Sequence, residues 1–159
     1  MGSKVNKTNV MRLLDAAKLE YGVHCYEGSG AVSGTEVAAV IGAEPARVFK
    51  TLVTVGKSRQ NYVFVIPVAA ELDLKKAADS VGEKAIEMIQ QRELLPLTGY
   101  VHGGCSPIGM KKPLPTVFDS SAAAFEKIIF SAGKIGWQVE LSPEDLKKLV
   151  DFSLANLTK

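Results

Sequence analysis

Residues 103–112, with the sequence Gly-Gly-Cys-Ser-Pro-Ile-Gly-Met-Lys-Lys, restrict most strongly what this chain can fold into. Three glycines and one proline fall within positions 103–109, and two lysines follow. Glycine adopts backbone angles that other residues resist, at a cost in chain entropy, and proline fixes its own angle and has no N–H to donate. This composition predicts a loop whose backbone amides approach a ligand closely.

The composition indicates one globular domain covering residues 1–159. Hydrophobic residues make up 47% and charged residues 23% of the chain, which are ordinary values for a domain with a packed core. A net charge of +2 is too small for a non-specific nucleic-acid coat, so DNA is not an expected partner. Two cysteines do not make a disulfide framework. Because no signal core or membrane-spanning run is evident, we expect a cytoplasmic protein without a membrane partner.

Helix and strand patterns alternate only irregularly along the chain, which favours a mixed sheet with flanking helices, an α/β (α+β) fold. The first helix is expected from a cap at Thr8 or Asn6 to about Glu20, with Gly22 ending it. Further helices are predicted at 34–42, 72–81, 90–95 and from the Ser142 cap to near Phe152, and strands at 23–26, 47–55, 62–68, 85–89, 116–118, 127–130 and 137–141.

Metal and nucleotide motifs are missing from the sequence. There is no His-Glu-x-x-His, no Cys-x-x-Cys and no histidine pair at ligand spacing. The stretch 104–112 lacks the spacing of a phosphate-binding Walker loop, since Lys112 precedes proline rather than serine or threonine. We therefore predict neither a metal nor a cofactor.

Protein nucleophiles are weakly supported. Cys105 lies in a glycine-rich loop whose amides can lower a thiol pKa, and His102 is a potential base, but no acid that would orient the histidine is evident. Ser106 lacks the surroundings of a nucleophile elbow. The alternative interpretation of Cys105 is a small loop residue.

Lys50 is the strongest single candidate outside the loop. It lies in the predicted strand Arg-Val-Phe-Lys-Thr-Leu-Val at 47–53, on the opposite side from Phe49. One interpretation is a surface lysine whose stem covers apolar neighbours. The other is a fixed cation at the floor of a pocket, holding a phosphate or a carbonyl oxygen. A lysine ammonium is charged at neutral pH, so it suits charge stabilisation better than proton abstraction.

Five segments in order resemble the YbaK family, which comprises free-standing relatives of the editing domain inserted in bacterial prolyl-tRNA synthetases. The resemblance runs from about residue 8 to the predicted final helix. The segments are Phe-Lys-Thr-Leu at 49–52, Leu-Asp-Leu-Lys-Lys-Ala-Ala at 72–78, Thr-Gly-Tyr at 98–100, the 103–112 loop, and Ser-Ala-Gly-Lys at 131–134.

The resemblance implies a single α/β domain with a mixed, strongly curved sheet, and an enzyme that cleaves the ester of a mischarged tRNA. The implied substrate is cysteine on tRNA(Pro), and the implied partners are the tRNA acceptor end and prolyl-tRNA synthetase. The family's functional positions correspond to Tyr26, Lys50 and Gly103. The implied catalytic residues are Lys50, Gly103 and Gly104, and the substrate-binding residues are Tyr26, Thr51, Ser106, Pro107 and Ser131.

The chemistry needs no triad, because an aminoacyl ester is already activated. The amides of Gly103 and Gly104 are expected to donate to the developing oxyanion, beside the positive charge of Lys50. The family's proposed route uses the thiol of a cysteinyl substrate, which attacks its own carbonyl and forms a cyclic thioester. The enzyme is then classed as a lyase if the cyclic thioester is its product, or as a hydrolase if the free amino acid is.

One position departs from close YbaK relatives, which often carry an aromatic residue before the glycine that opens the second helix. Here Ser33 precedes Gly34. This leaves alanine or another amino acid open as the target. Two further classes also stay open: a module that binds tRNA or a synthetase without cleavage, and a hydrolase of small free esters or nucleotides.

Overall fold

The computed structural model describes residues 7–159, and every statement on structure below refers to them. No helix among these residues is both long enough and apolar enough to cross a membrane. The helices are α1 Asn9–Ala16, α2 Gly34–Val40, α3 Leu74–Val81, α4 Gln91–Thr98 and α5 Pro143–Leu146. The strands are β1 Gly22–Cys25, β2 Phe49–Gly56, β3 Asn61–Pro67, β4 Ile86–Met88, β5 Thr116–Asp119, β6 Ile128–Ser131, β7 Trp137–Leu141 and β8 Phe152–Ala155.

The larger of two sheets is mixed, as the sequence predicts. Its strand order is β4-β2-β3-β5-β8. The pairs β4–β2 and β2–β3 are antiparallel, whereas β3–β5 and β5–β8 are parallel. The predicted hairpin over 47–55 and 62–68 is confirmed by the β2–β3 pair. The second sheet is antiparallel, with order β1-β7-β6.

The two sheets meet at a single parallel bridge between Val48 and Ile129. Both residues are almost fully buried, and Ala38 of α2 and Val68 pack against them. Beyond the bridge, β2 has no strand on its outer side until Thr54, where β4 begins to pair. The sheets therefore separate beside the first residues of β2, and an edge of that strand is left open.

Hydrogen bonds fix which backbone groups occupy this open edge. The carbonyl of Val48 accepts from Val68 on the β3 side, and the carbonyl of Val53 accepts from Ile89 on the opposite side. Because these directions alternate along a strand, the backbone N–H and C=O of Thr51 point away from β3, toward the gap.

A large apolar core fills the space between the sheets and the helices. It includes Val10 and Leu14 of α1, Phe49 of β2, Phe118 of β5 and Phe130 of β6. A second core lies beneath α3. Burial of these side chains supplies most of the driving force for folding and holds both sheets in fixed positions.

Side-chain caps start the helices where the sequence predicts them. Thr8 accepts from the amide of Met11, Ser33 and Glu36 form a reciprocal capping box, and Asp73 accepts from two amides of α3. The alternative cap Asn6 lies outside the described residues. Gly82 takes a left-handed conformation and ends α3.

The predicted end of the first helix at about Glu20 is wrong. The helix stops at Ala16, Lys18 adopts φ 60°, and the amide of Leu19 donates to the carbonyl of Leu14. This is a Schellman ending, which is stabilised because Leu19 also packs on the core. Gly22 consequently begins β1 instead of ending the helix.

The predicted final helix is also wrong in length. Ser142 caps it as expected, but α5 ends at Leu146. Phe152 begins β8, which pairs in parallel with β5, and its ring lies 4.5 Å from that of Phe118. Contacts with the core therefore outweigh the local helical pattern.

A tight contact positions α2 beside the gap between the sheets. A Cβ added at Gly34 would lie 2.6 Å from Cβ and from Cγ1 of Val68, closer than carbon atoms approach. We expect Gly34→Ala to lower the free energy of unfolding by about 1–3 kcal/mol, because this site is already filled. Urea unfolding measures the loss.

A double-mutant cycle separates this contact from a change in helix propensity. In the Gly34→Ala background, Val68→Ala makes room for the added methyl group and should cost less stability than it does in the wild-type protein. Additive effects of the two substitutions would contradict the explanation.

Candidate functional site

A pocket of about 240 Å³ opens where the two sheets separate. Its walls are the start of α2, the first residues of β2, the loop residues His102, Gly103 and Cys105, and the ends of β6 and β7. Five of the predicted site residues line it: Tyr26, Lys50, Thr51, Gly103 and Ser131. A larger cavity of about 460 Å³ beside β8 contains none of the predicted residues.

Lys50 supplies positive charge without a carboxylate neighbour. No Asp or Glu is among the residues that line the pocket, and no ion pair between residues 7 and 159 involves Lys50. Its side chain is partly buried. An ammonium group held at a sheltered wall and left without a counter-ion is suited to attract an anionic or partly negative oxygen.

Tyr100 holds the glycine-rich loop in place. Its hydroxyl donates to the carbonyl of Ile108 and thereby closes the segment between them. Added Cβ atoms at Gly109 and Gly133 would lie 3.0 Å from the hydroxyl oxygen and from Cε1 of Tyr100, respectively. Both glycines have positive φ angles, 75° and 89°. The sequence therefore needs glycine at both positions, for the backbone conformation and for the space.

The two glycines at the start of the loop differ in what their amides can do. Gly103 lines the pocket at φ 89°, and its N–H has no acceptor within residues 7–159. The N–H of Gly104 donates to the carbonyl of Val101 at 3.0 Å, and Gly104 is buried outside the pocket. The amide of Gly104 is therefore not available to a bound oxygen in this geometry. Cys105 lines the pocket instead, and its N–H also lacks an acceptor in the described chain.

Ser106 and Pro107, predicted to bind substrate, do not line the pocket. Ser106 is fully buried, and its hydroxyl oxygen accepts from the amide of Ile108 at 3.3 Å. Pro107 is buried and faces a separate groove beside Leu13. The structure gives both residues a role in shaping the loop.

Polar groups at the pocket wall are incompletely paired. The hydroxyl of Ser131 accepts from the amide of Gly133 at 3.1 Å. Buried oxygens of Thr51 (Oγ1) and Gln138 (Oε1) have no hydrogen-bond partner in the described chain. Buried polar atoms are nearly always paired, so such exceptions call for an explanation.

Sequence reasoning missed Gln138. It lies directly opposite Ser131 in the β6–β7 pair, so both side chains occupy one face of the smaller sheet. The signal was present in the strand Trp-Gln-Val-Glu-Leu, whose alternation places Gln138 on the side away from Val139 and Leu141.

A comparison of the sequence with known protein families identifies the family of this chain. The sequence model of the aminoacyl-tRNA editing domain matches residues 29–149. The chain belongs to the aminoacyl-tRNA editing family. This confirms the resemblance seen in the sequence, and with it the expected class of aminoacyl-tRNA deacylases.

Individual relatives extend the match over nearly the whole chain. A protein of Enterococcus faecalis, provisionally named Cys-tRNA(Pro)/Cys-tRNA(Cys) deacylase EbsC, is 45% identical over 153 residues, covering 96% of this chain and 93% of the relative. YwhH of Bacillus subtilis, an uncharacterised protein, is 30% identical over 122 residues, covering 77% of this chain and 75% of the relative. A crystal structure described as a candidate trans-editing enzyme for prolyl-tRNA synthetase superposes with a TM-score of 0.84 at 26% identity, covering 97% of this chain and 99% of the other.

Two further residues that line the pocket have clear local roles. Ser33 lines the pocket, and its hydroxyl caps α2 by accepting from the amide of Glu36 at 3.2 Å. The Cys105 thiol is partly enclosed, and burial raises its pKa to about 12. It is therefore protonated at neutral pH, which opposes a role as nucleophile.

The raised pKa of Cys105 predicts unequal reactivity of the two cysteines. At pH 8 we expect iodoacetamide to modify the exposed Cys25 while Cys105 stays unmodified, because the alkylating agent reacts with thiolates. The labelling of Cys105 should rise only as the pH approaches 12 or when urea unfolds the protein. Peptide mass spectrometry measures both sites. Equal rates for both cysteines in the folded protein at pH 8 would contradict the assignment.

Proposed function

We propose that this protein edits in trans by releasing cysteine from mischarged tRNA(Pro). The observation that carries the proposal is the convergence of Lys50 and Gly103 on one pocket. The name of the relative from Enterococcus faecalis supports the choice of cysteine, and a pocket of about 240 Å³ suits a small aminoacyl group. The proposed partner is the acceptor end of tRNA(Pro), delivered with or without prolyl-tRNA synthetase.

Lys50 and the Gly103 amide act on the ester oxygen atoms. As the carbonyl carbon becomes tetrahedral, its oxygen gains negative charge. The free N–H of Gly103 donates to this oxygen, and Lys50 lines the same pocket from β2. Donors that are fixed before the reaction need no reorganisation when the charge develops.

The substrate itself provides the nucleophile. The cysteinyl thiolate attacks its own carbonyl carbon, the bond to the terminal ribose oxygen breaks, and that oxygen leaves as a hydroxyl after taking up a proton. The products are free tRNA and a cyclic thioester, which water opens to cysteine. A free thiol has a pKa of about 8.5, so part of it is ionised near neutral pH. This route requires no general base from the protein.

Lys50→Ala tests the convergence directly. We expect the rate of cysteine release from Cys-tRNA(Pro) to fall by about 100-fold or more, because a preorganised charge beside the oxyanion is lost. Lys57→Ala, in the exposed β2–β3 turn, is the matched control and should retain the wild-type rate. Release of labelled cysteine under multiple-turnover conditions measures both variants. Stoichiometric binding of the tRNA without turnover by the wild-type protein would instead identify a binding module.

The pH dependence distinguishes the substrate thiol from Cys105. After subtraction of spontaneous hydrolysis, the rate on Cys-tRNA(Pro) should rise with pH through about 8.5, and Cys105→Ala should keep this profile because the Cys105 pKa is about 12. Ala-tRNA(Pro), which has no thiol, should react slowly and without this inflection. Loss of activity in Cys105→Ala would instead support Cys105 as the nucleophile.

A further inference from the structure

Gln138, like Thr51, lines the pocket with a buried oxygen that the fold leaves unpaired. It is 7% exposed, and it lines the pocket from β7. Its Oε1 is buried without a partner in the described chain. Glu140, two residues further on the same face of β7, provides a contrast. Its carboxylate is paired with Arg47 and His24, each at 2.7 Å.

A buried amide oxygen without a donor destabilises the folded protein, because it has lost its hydrogen bonds to water. An apolar residue would pack at this position of the strand without that cost. Gln138 lines the pocket, although its oxygen has almost no exposed surface. A turn of the terminal amide brings this oxygen to the pocket, where a bound molecule supplies the missing donor.

The chemistry of an aminoacyl ester narrows the choice of donor. Its carbonyl oxygen is an acceptor and belongs with the donors Lys50 and Gly103. Every aminoacyl-tRNA carries two strong donors near the ester, the α-amino group and the neighbouring ribose hydroxyl, and a thiol is only a weak donor. Of the two, the α-amino group belongs to the amino acid that the small pocket would hold. Since no Asp or Glu lines the pocket, a neutral oxygen must receive the amino group.

We propose that Oε1 of Gln138 accepts a hydrogen bond from the α-amino group of the aminoacyl-tRNA. This proposal rests on the proposed function and adds a substrate-binding residue to it. Gln138 and Ser131 face each other across β6 and β7, while Lys50 lies across the gap on β2. The amino group is thus held on the wall opposite the cation, and the ester carbonyl faces Lys50.

A neutral acceptor has a specific advantage beside an unpaired lysine. A carboxylate at this position would attract the Lys50 ammonium and compete with the developing oxyanion for its charge. The Gln138 amide orients the amino group without a formal charge, so the charge of Lys50 is kept for the ester. Acylation of the amino group leaves it a single N–H, removes its ability to carry a positive charge and adds bulk, so N-acylated aminoacyl-tRNA should be a poor substrate.

A cycle of substrate and protein changes tests the contact. The two substrates are Cys-tRNA(Pro) and 3-mercaptopropionyl-tRNA(Pro), which keeps the thiol and lacks the α-amino group. The proteins are the wild type, Gln138→Met and the control Gln91→Met, whose residue is exposed on α4. We expect the wild type to lose about 10-fold in kcat/KM when the amino group is removed, the effect of one hydrogen bond to a charged or buried group.

Gln138→Met should lose about 10-fold on Cys-tRNA(Pro) and show no further loss on the substrate without the amino group. Gln91→Met should behave as the wild type. Equal losses from Gln138→Met on both substrates, or no loss on either, would overturn the contact; equal losses would point to a ribose hydroxyl as the donor. Gln138→Glu keeps an acceptor oxygen, so it should keep the preference for the amino group, at a lower rate on both substrates because its charge competes for Lys50. It provides a second test if Gln138→Met does not fold.

The result also separates this inference from the proposed function. If the wild type releases no cysteine, or if Lys50→Ala is fully active, the deacylase mechanism fails. If the wild type is active and Lys50→Ala is not, but the cycle shows no coupling, only the role of Gln138 fails.

Discussion

The bridge between Val48 and Ile129 determines where this protein has a site. It joins the two sheets at one buried point, and beyond it β2 and β6 separate. The gap exposes a strand edge with unpaired backbone groups, next to side chains from both sheets. Core packing keeps the gap open, because Phe49 and Phe130 belong to one apolar cluster that fixes both strands. The pocket is therefore a property of the sheet architecture, and the glycine-rich loop completes it from one side.

The fold was predictable where local chemistry decides the structure. The Ser33–Glu36 capping box and the Asp73 cap with its left-handed Gly82 each determine a helix boundary within a few residues. The predictions failed where distant contacts decide. The segment around Phe152 continues a helical pattern in the sequence, but pairing with β5 and the packing of its ring against Phe118 place it in a strand. The division into two sheets was likewise not predictable from the sequence, because strand pairing depends on residues far apart in the chain.

The site was predictable in part, for similar reasons. Lys50 and Gly103 stand out in the sequence because a lysine among apolar residues and a cluster of glycines are unusual. The sequence alone did not predict that the N–H of Gly104 donates to the carbonyl of Val101, because this hydrogen bond depends on the turn that the loop adopts. Gln138 looks like an ordinary polar residue of a half-exposed strand. Only its burial and the missing partner of Oε1 distinguish it.

The pocket draws its residues from widely separated parts of the chain, from Tyr26 to Gln138. During synthesis on the ribosome, the β2–β3 hairpin can form early because its contacts are local. The parallel pairing of β3 with β5 and the bridge to Ile129 require segments made much later. Contacts between distant residues form slowly because they must close long loops. A nascent chain of this protein consequently completes its pocket only after the segment that carries Gln138 has emerged.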